Sequence, residues 1–249
     1  MQKIRSKDGT LIACERVGAG PPLVLVVGAF NTRETGTPLA TFLAPHFTVL
    51  TYDRRGRGDS GDTPPYAVER EVEDLEAVVE TAGVPVACLG YSSGAVLALR
   101  AARSPRVSKV VLYDLPPTQP SRHATELASL VGAGRRGEAV EYFQRELVRI
   151  PEPVIAQLRH APFRAALEAM AHTLVYDATL LREEERTAQP GVPTLAIVGS
   201  ESPSVMRDAS ESLVRSLPDG RYSLLEGAGH DLAPATVGPV VQQFLSGSG

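Results

Sequence analysis

Runs of apolar and β-branched residues alternate along this chain with longer segments of helical pattern, and this alternation constrains the fold most. Residues 23–27 are apolar at every position, which is typical of a strand covered on both faces in a parallel sheet. Residues 69–82 place their apolar side chains on one helical stripe, and 95–102 are helix-forming throughout. Further strands are predicted at 3–7, 11–17, 47–52, 84–89, 107–113, 194–198 and 221–225. The pattern predicts an α/β protein with a mostly parallel sheet flanked by helices.

One stretch, residues 116–189, has helical patterns such as 138–148 and 163–173 but no strand pattern. We predict that residues 1–115 and 190–249 form the α/β core and that 116–189 form a helical lid inserted after the sixth strand. Open α/β sheets bind ligands at the carboxyl ends of their strands, so we expect the lid to cover that edge. Its larger apolar side chains either pack its helices together or line a pocket: Tyr142, Phe143, Phe163, Met170, Leu174 and Tyr176.

The composition excludes several classes of function. The net charge of the 249 residues is -4 and the 25 basic residues are scattered, so we expect no nucleic-acid partner. No segment approaches the roughly 20 apolar residues that span a bilayer, and the first residues lack a signal-peptide pattern. We therefore expect no membrane partner and a cytoplasmic location. Metal-binding and nucleotide-binding motifs are missing from the sequence, which predicts no cofactor. Cys14 and Cys88 are expected to be buried free thiols, and no oligomeric state is favoured.

The run Gly90-Tyr91-Ser92-Ser93-Gly94 matches the pattern G-x-S-x-G. A predicted buried strand precedes it and a predicted helix follows it, which is the setting that a nucleophile elbow requires. Small residues must flank the serine because the turn is strained. We predict that Ser92 is a catalytic nucleophile. The backbone amide of Ser93, at the start of the helix, is predicted to point toward a developing oxyanion.

With two further motifs, the chain resembles the α/β-hydrolase family over nearly its whole length. Residues 52–60, with the sequence YDRRGRGDS, are similar to the family's D-x-R-G-x-G-x-S loop, and Gly227-Ala228-Gly229-His230 follows the last predicted strand. The resemblance implies the α/β-hydrolase fold and a serine hydrolase with a catalytic triad. It also implies that the 52–60 loop shapes the floor of the site without reacting.

The histidine of the triad is predicted to be His230. In the family the catalytic histidine stands on a glycine-rich loop after the last strand, and the chain order of serine, acid and histidine is respected here. Its imidazole would take the proton of Ser92 and return it to the leaving group. His46 is expected to be exposed, and His123 and His160 to have polar surroundings. His172 either lines the substrate pocket or is a hydrogen-bonded core histidine.

The acid departs from the family's usual pattern, which is G-x-x-D after the seventh strand. Here that segment reads Gly199-Ser200-Glu201-Ser202, so Ser202 stands at the aspartate position and Glu201 is one position early. A known variation in the family places the acid after the sixth strand, where Asp114 directly follows the predicted strand. A carboxylate there can reach a histidine on the last loop and fix its tautomer. We predict that Asp114 is the acid, with Glu201, or no working acid, as the alternatives.

The loop after the third strand reads Val26-Val27-Gly28-Ala29-Phe30-Asn31, whereas the family usually has His-Gly at its start. Val27 replaces the histidine and the glycine is kept. Because the oxyanion donor in this loop is a backbone N–H, Ala29 can still supply it together with Ser93, and Phe30 is the alternative donor. We expect that losing the histidine weakens the hydrogen-bonding support of the loop.

A serine nucleophile restricts the reaction. On this fold, attack at sp³ carbon uses an aspartate, because serine would form a stable ether there. Ser92 therefore indicates attack at an acyl carbon, so the expected partner is a small, moderately apolar ester, lactone or thioester. A carboxylic ester hydrolase is the expected enzyme class. The alternatives are a non-catalytic ligand-binding member of the fold and a C–C hydrolase or lyase that uses the same Ser92 and His230.

Overall fold

The computed structural model describes residues 1–182 and 190–247. Contacts between Cα atoms divide the chain into two compact units, the first formed by Met1–Pro117 with Thr187–Gly249 and the second by Thr118–Arg186. The strands of the first unit are β1 Gln2–Arg5, β2 Leu11–Val17, β3 Pro22–Val26, β4 Thr48–Tyr52, β5 Val86–Tyr91, β6 Val107–Tyr113, β7 Thr194–Gly199 and β8 Gly220–Leu225. Its helices are α1 Arg33–Leu43, α2 Val68–Glu80, α3 Ser93–Ala101, α9 Ser204–Ser216 and α10 Pro234–Ser246.

The eight strands of the first unit form one sheet in the order β1-β2-β4-β3-β5-β6-β7-β8. The pairs β1–β2 and β2–β4 are antiparallel, and every later pair is parallel. The parallel strands therefore end at one common edge, where the loops that follow β3, β5, β6, β7 and β8 meet. The predicted fold class, a mostly parallel sheet flanked by helices, is confirmed.

Alternate residues of the central strands divide the core between the two faces of the sheet. Leu23 and Leu25 of β3 are buried in one apolar cluster with Leu39 of α1 and Val241 of α10. The residues between them are equally buried and point to the opposite face, since side chains alternate along a strand. This burial on both sides explains why the run at 23–27 is apolar throughout.

The first and last residues of β5 differ from those of the predicted strand at 84–89. Val84 is exposed, and Pro85 has no N–H to give to a sheet, so the strand begins at Val86. At the other end, Gly90 and Tyr91 continue the pairing with β6. The sheet therefore runs up to the residue that precedes Ser92.

The second unit is helical. Its elements are α4 Arg122–Gly132, α5 Arg136–Tyr142, a π-helical turn Phe143–Val148, α6 Glu152–Leu158, α7 Arg164–Ala169 and α8 Thr173–Leu180, and an isolated parallel bridge joins Gln119 to Arg182. The helix predicted at 138–148 is thus α5 continued by the π-helical turn, and the one predicted at 163–173 stops at Ala169. Phe143 and Leu174 are buried, whereas Phe163 is exposed. The role of residues 116–189 as a lid stays a prediction, and part of that span, 183–189, lies outside the described residues.

No helix in the described part of the chain has both the length and the apolar character needed to cross a membrane.

Candidate active site

Ser92 lies in the turn between β5 and α3 with a backbone φ of 55° and ψ of -127°. These angles are unfavourable for a residue with a Cβ atom, as expected of a nucleophile elbow. Close backbone approaches explain the two glycines of the motif. A Cβ atom at Gly90 would lie 2.5 Å from the Cα of Ala95, and one at Gly94 would lie 2.3 Å from the carbonyl oxygen of Val26. The turn is therefore held between its own helix and β3.

The structure brings His230 and Asp114 together. His230 lies on the loop between β8 and α10, and its Nδ1 is 2.7 Å from Oδ2 of Asp114, the residue that follows β6. The Asp114 side chain is fully buried, whereas 26% of the His230 side chain is exposed. A buried carboxylate on one ring nitrogen leaves the other nitrogen available for proton transfer. The pairing joins residues 116 positions apart.

Ser202, at the position where the family usually has its aspartate, also contacts Asp114. Its hydroxyl donates a 2.7 Å hydrogen bond to Oδ2, the same oxygen that meets His230. The backbone N–H of Gly199 donates to the other oxygen, Oδ1, at 3.1 Å. Three partners, two from the end of β7 and its following loop and one from the loop after β8, therefore fix the orientation of the Asp114 carboxylate. The serine at the family's usual aspartate position therefore contacts the carboxylate that follows β6.

Two tyrosines that the sequence reasoning missed hold the histidine loop. The hydroxyl of Tyr91 donates to the carbonyl oxygen of His230 at 2.8 Å, and that of Tyr113 donates to the carbonyl oxygen of Gly229 at 2.6 Å. The Tyr91 ring also packs against the His230 ring, with 4.8 Å between centroids. Burial, reinforced by the Asp114 charge, raises the pKa of both phenols above the ordinary value, so both stay donors. Their sequence signal was a tyrosine directly before Ser92 and another directly before Asp114.

The loop after β3 lies against the elbow. A Cβ atom at Gly28 would be 2.8 Å from Cβ of Ser92 and 3.3 Å from its Oγ, so this close approach requires glycine. The carbonyl oxygen of Gly28 accepts a 2.6 Å hydrogen bond from Nη1 of Arg57. The next carbonyl, that of Ala29, accepts one from Nδ2 of Asn31, also at 2.6 Å. The peptide units on both sides of Ala29 are thus held by side chains.

Two arginines of the 52–60 loop, Arg54 and Arg55, are buried in ion pairs. Arg54 makes a bidentate contact with Glu71 at 2.7 and 2.8 Å, and also donates to the hydroxyl of Ser93 at 3.2 Å. Burial acts to raise the pKa of Glu71, but the charge and hydrogen bonds of Arg54, the Arg57 charge and the Tyr66 hydroxyl together outweigh it, and the pKa lies below its ordinary value. Arg55 makes a similar contact with Asp74, at 2.7 and 2.8 Å. The basic run that could have suggested an anion-binding surface is therefore a buried structural element.

The remaining candidates lie elsewhere or have other roles. Glu201 is exposed, and its backbone N–H donates to the carbonyl oxygen of Ala228 at 2.9 Å. His46 is exposed, as expected. His123, which was expected to have polar surroundings, is only 4% exposed, and its Nδ1 lies 2.8 Å from the hydroxyl of Tyr142. Burial, together with the neighbouring charge of Arg122, lowers the pKa of His123 below its ordinary value.

The cysteines are not competing nucleophiles. Both thiols are free and buried, and burial raises the pKa of Cys14 to about 11 and that of Cys88 to about 12. A thiol with such a pKa is almost entirely protonated at neutral pH. Among the described residues, no three His, Cys, Asp or Glu side chains come together in a way that could hold a metal ion.

Backbone strain is concentrated around this arrangement. Four described residues other than glycine have a positive φ, and three of them are Phe30 at 61°, Ser92 at 55° and Asp114 at 50°. The fourth, Arg149, ends the π-helical turn. Each of the three follows the carboxyl end of a strand of the sheet. Strain of this kind clusters at functional sites, where the surrounding structure over-determines the backbone.

A mostly parallel sheet with a strained serine turn and a His–Asp pair at its carboxyl edge defines the class of α/β proteins built around a nucleophile elbow. The model of the alpha/beta hydrolase family matches residues 23–239 of the chain. The chain therefore belongs to the α/β-hydrolase family.

Individual relatives agree with this assignment. An alpha/beta hydrolase from Sphaerobacter thermophilus DSM 20745 has a crystal structure with a TM-score of 0.90 and 45% identity, covering 98% of this chain and 100% of that one. The sn-1-specific diacylglycerol lipase ABHD11 of Mus musculus is 26% identical over 84% of this chain and 75% of the lipase. The esterase YbfF of Escherichia coli (strain K12) is 24% identical over 84% of this chain and 85% of the esterase.

Proposed function

We propose that this protein is a serine hydrolase that cleaves the acyl bond of a small, moderately apolar ester, lactone or thioester. The observation that carries the proposal is the 2.7 Å contact between His230 Nδ1 and the buried Asp114 carboxylate. The His230 ring packs against Tyr91, the residue directly before Ser92. A nucleophile, a base and an acid thus stand in the chain order and on the sheet edge that triad chemistry requires.

In the proposed acylation step, Ser92 Oγ attacks the acyl carbon while its proton passes to His230 Nε2. The electron pair of the carbonyl bond moves onto the acyl oxygen, and the amides of Ala29 and Ser93 stabilise that charge. When the tetrahedral intermediate collapses, the bond to the leaving oxygen or sulfur breaks. The departing oxygen or sulfur takes the proton from His230. The acyl group is then bound to Ser92 Oγ as an ester.

Water completes the proposed cycle. His230 accepts a proton from the water as its oxygen attacks the acyl carbon of the acyl-enzyme. Collapse of the second tetrahedral intermediate returns that proton to Ser92 Oγ and releases the carboxylic acid. In both halves of the cycle Asp114 stays ionised, holds Nδ1–H and stabilises the imidazolium.

Two observations support an ester as the first substrate class to test. Serine forms an acyl-enzyme that water can hydrolyse, so the bond attacked is one at an acyl carbon. Of the relatives named above, the mouse protein is a diacylglycerol lipase and the Escherichia coli protein is an esterase. The apolar character proposed for the substrate rests on the aromatic and aliphatic side chains of the helical unit, such as Tyr142 and Met170.

The test is covalent labelling combined with a substrate screen. We expect a fluorophosphonate probe to label the wild-type protein at Ser92, and p-nitrophenyl acetate to be hydrolysed. Ser92→Ala should lose both the label and the hydrolysis. Ser104→Ala, a control at a serine beyond the C-terminal end of α3, should keep its label.

Other results would replace the proposal. A folded wild-type protein that is neither labelled nor active would favour a non-catalytic ligand-binding protein. Labelling at Ser92 with no turnover of esters, lactones or thioesters would favour a C–C hydrolase or a lyase. The screen should therefore include a substrate with a C–C bond beside a carbonyl.

A further inference from the structure

Arg57 lies in the 52–60 loop, is 1% exposed and donates from Nη1 to the carbonyl oxygen of Gly28 at 2.6 Å. The carbonyl of Gly28 and the N–H of Ala29 belong to one planar peptide unit and point in opposite directions. Fixing the oxygen therefore fixes the direction of the N–H. A charged donor on the carbonyl also polarises the amide and makes its N–H a stronger donor.

The position of this peptide unit connects Arg57 with the nucleophile. Gly28 approaches Ser92 so closely that a Cβ atom would be 3.3 Å from its Oγ. Within residues 1–182 and 190–247 the structure gives the Ala29 N–H no hydrogen-bond acceptor. A donor that is held in place, polarised and left without an acceptor is what an oxyanion hole needs.

We propose that Arg57 is a positioning residue of the oxyanion hole, acting through the Gly28–Ala29 peptide unit. The inference rests on the proposed function and deepens it, because it names what supports the loop in which Val27 replaces the family's histidine. Arg54, from the same loop, contacts the residue that carries the other donor, because it donates to the side-chain hydroxyl of Ser93 at 3.2 Å. The oxyanion hole is thus backed by two buried guanidinium groups from one loop.

The alternative donor, the N–H of Phe30, belongs to the next peptide unit, whose carbonyl oxygen is that of Ala29. Asn31, not Arg57, donates to that oxygen, at 2.6 Å. Variants at Arg57 and Asn31 therefore test the two candidate amides separately. If Ala29 is the donor, a change at Arg57 has the larger effect on turnover. If Phe30 is the donor, a change at Asn31 does.

The experiment compares Arg57→Met, Arg57→Lys and Asn31→Ala with the wild type. Removing a direct oxyanion donor costs about 10²- to 10³-fold in kcat, so loss of an indirect support should cost about 10- to 100-fold. We expect this fall in the kcat of Arg57→Met with little change in KM for p-nitrophenyl acetate. Arg57→Lys, which keeps the charge, should have a kcat between those of Arg57→Met and the wild type. The kcat of Asn31→Ala should fall less than that of Arg57→Met.

A second measurement separates positioning from folding. A trifluoromethyl ketone forms a tetrahedral adduct with an oxyanion, so its inhibition constant should rise in Arg57→Met by the same factor as kcat falls. The matched control is Arg55→Lys. Arg55 is equally buried in the same loop but contacts Asp8 and Asp74 instead of Gly28. This control should keep the wild-type kcat and inhibition constant even where its Tm is lower.

Three results would overturn the inference. One is a wild-type kcat in Arg57→Met; another is a fall in kcat with an unchanged inhibition constant. The third is a fall in kcat in both Arg57→Met and Arg55→Lys that is proportional to the fall in Tm of each variant. A wild-type protein that is inert toward esters and is not labelled at Ser92 would instead remove the proposed function, and with it this inference.

Discussion

The two sides of Ser92 are built in different ways. On the side of His230, side chains contact side chains, and Asp114 reaches the imidazole directly at 2.7 Å. On the side of Ala29, the proposed donors are backbone amides, and charged side chains act on them only through a carbonyl oxygen or a hydroxyl. The first arrangement leaves recognisable residue types in the sequence. The second depends on which loops meet in space, so residue identity reveals less of it.

The largest expected effect tests the base side. Asp114→Asn should leave the fold intact but slow turnover by up to roughly 10⁴-fold, because an amide presents the wrong hydrogen-bonding group to Nδ1 and favours the wrong tautomer. Steady-state kinetics with p-nitrophenyl acetate measures the loss, and circular dichroism checks the fold.

The matched control is Glu201→Gln at the exposed carboxylate after β7, which should change kcat by less than about twofold. A large loss in Glu201→Gln together with a small one in Asp114→Asn would reverse the assignment of the acid.

A smaller effect, on stability, tests the oxyanion side. The pKa of Glu71 in the folded protein lies below its ordinary value, because the charge and hydrogen bonds of Arg54, together with smaller effects of Arg57 and Tyr66, outweigh the effect of burial. Glu71 therefore stabilises the fold above that ordinary value, and the contribution is lost as the pH falls through the lowered pKa. Glu71→Gln leaves Arg54 buried without its counter-charge and should cost about 3–5 kcal/mol of unfolding free energy at pH 7.

Urea unfolding at a series of pH values from 7 to 3 measures this difference. We expect the difference in unfolding free energy between the wild type and Glu71→Gln to become smaller as the pH falls toward 3. Glu80→Gln, at the exposed end of the same helix, is the control and should change stability by less than about 0.5 kcal/mol. A gap that stays constant with pH would show that the Glu71 charge is not what stabilises the loop.

The smallest expected effect concerns Ser202, whose hydroxyl donates to Asp114. Ser202→Ala removes one of three hydrogen bonds to the carboxylate but leaves its charge in place. We expect kcat/KM to fall by about 10- to 150-fold, the equivalent of one hydrogen bond to a charged group. Ser200→Ala, two residues earlier, should stay within about twofold of the wild type. A loss in Ser202→Ala as large as in Asp114→Asn would mean that the two residues act as one unit.

The sequence predicted the sheet, the elbow and the pairing of Asp114 with His230, because each depends on local pattern together with the order of strands. The place of Ser202 was predicted, but its contact was not. In the sequence, a serine at the aspartate position indicates only that the acid is missing there. The structure shows that the carboxylate after β6 contacts this serine. The tyrosines before Ser92 and Asp114 were also missed, since their hydroxyls reach a loop more than a hundred residues away.

The contacts of the arginines in the 52–60 loop could not be predicted from the sequence either. The resemblance implied that this loop shapes the floor of the site, but no local pattern indicates which carbonyl oxygen a buried guanidinium will reach. The contact from Arg57 to Gly28 joins residues 29 positions apart through the pairing of β3 with β4. The helical unit was predicted at the level of its helices, but the π-helical turn after α5 has no signature in residue pattern.

The positive φ angles of Phe30, Ser92 and Asp114 have a consequence for how this chain can evolve. Each strained residue raises the free energy of the folded state by roughly 1 kcal/mol or more, a burden that glycine at the same position would largely relieve. A lineage released from selection for chemistry would therefore gain thermal stability by drifting toward glycine at these three sites. Stability and turnover are opposed there by backbone geometry alone. Random mutagenesis selected only for heat resistance should enrich inactive variants at Ser92 and Asp114.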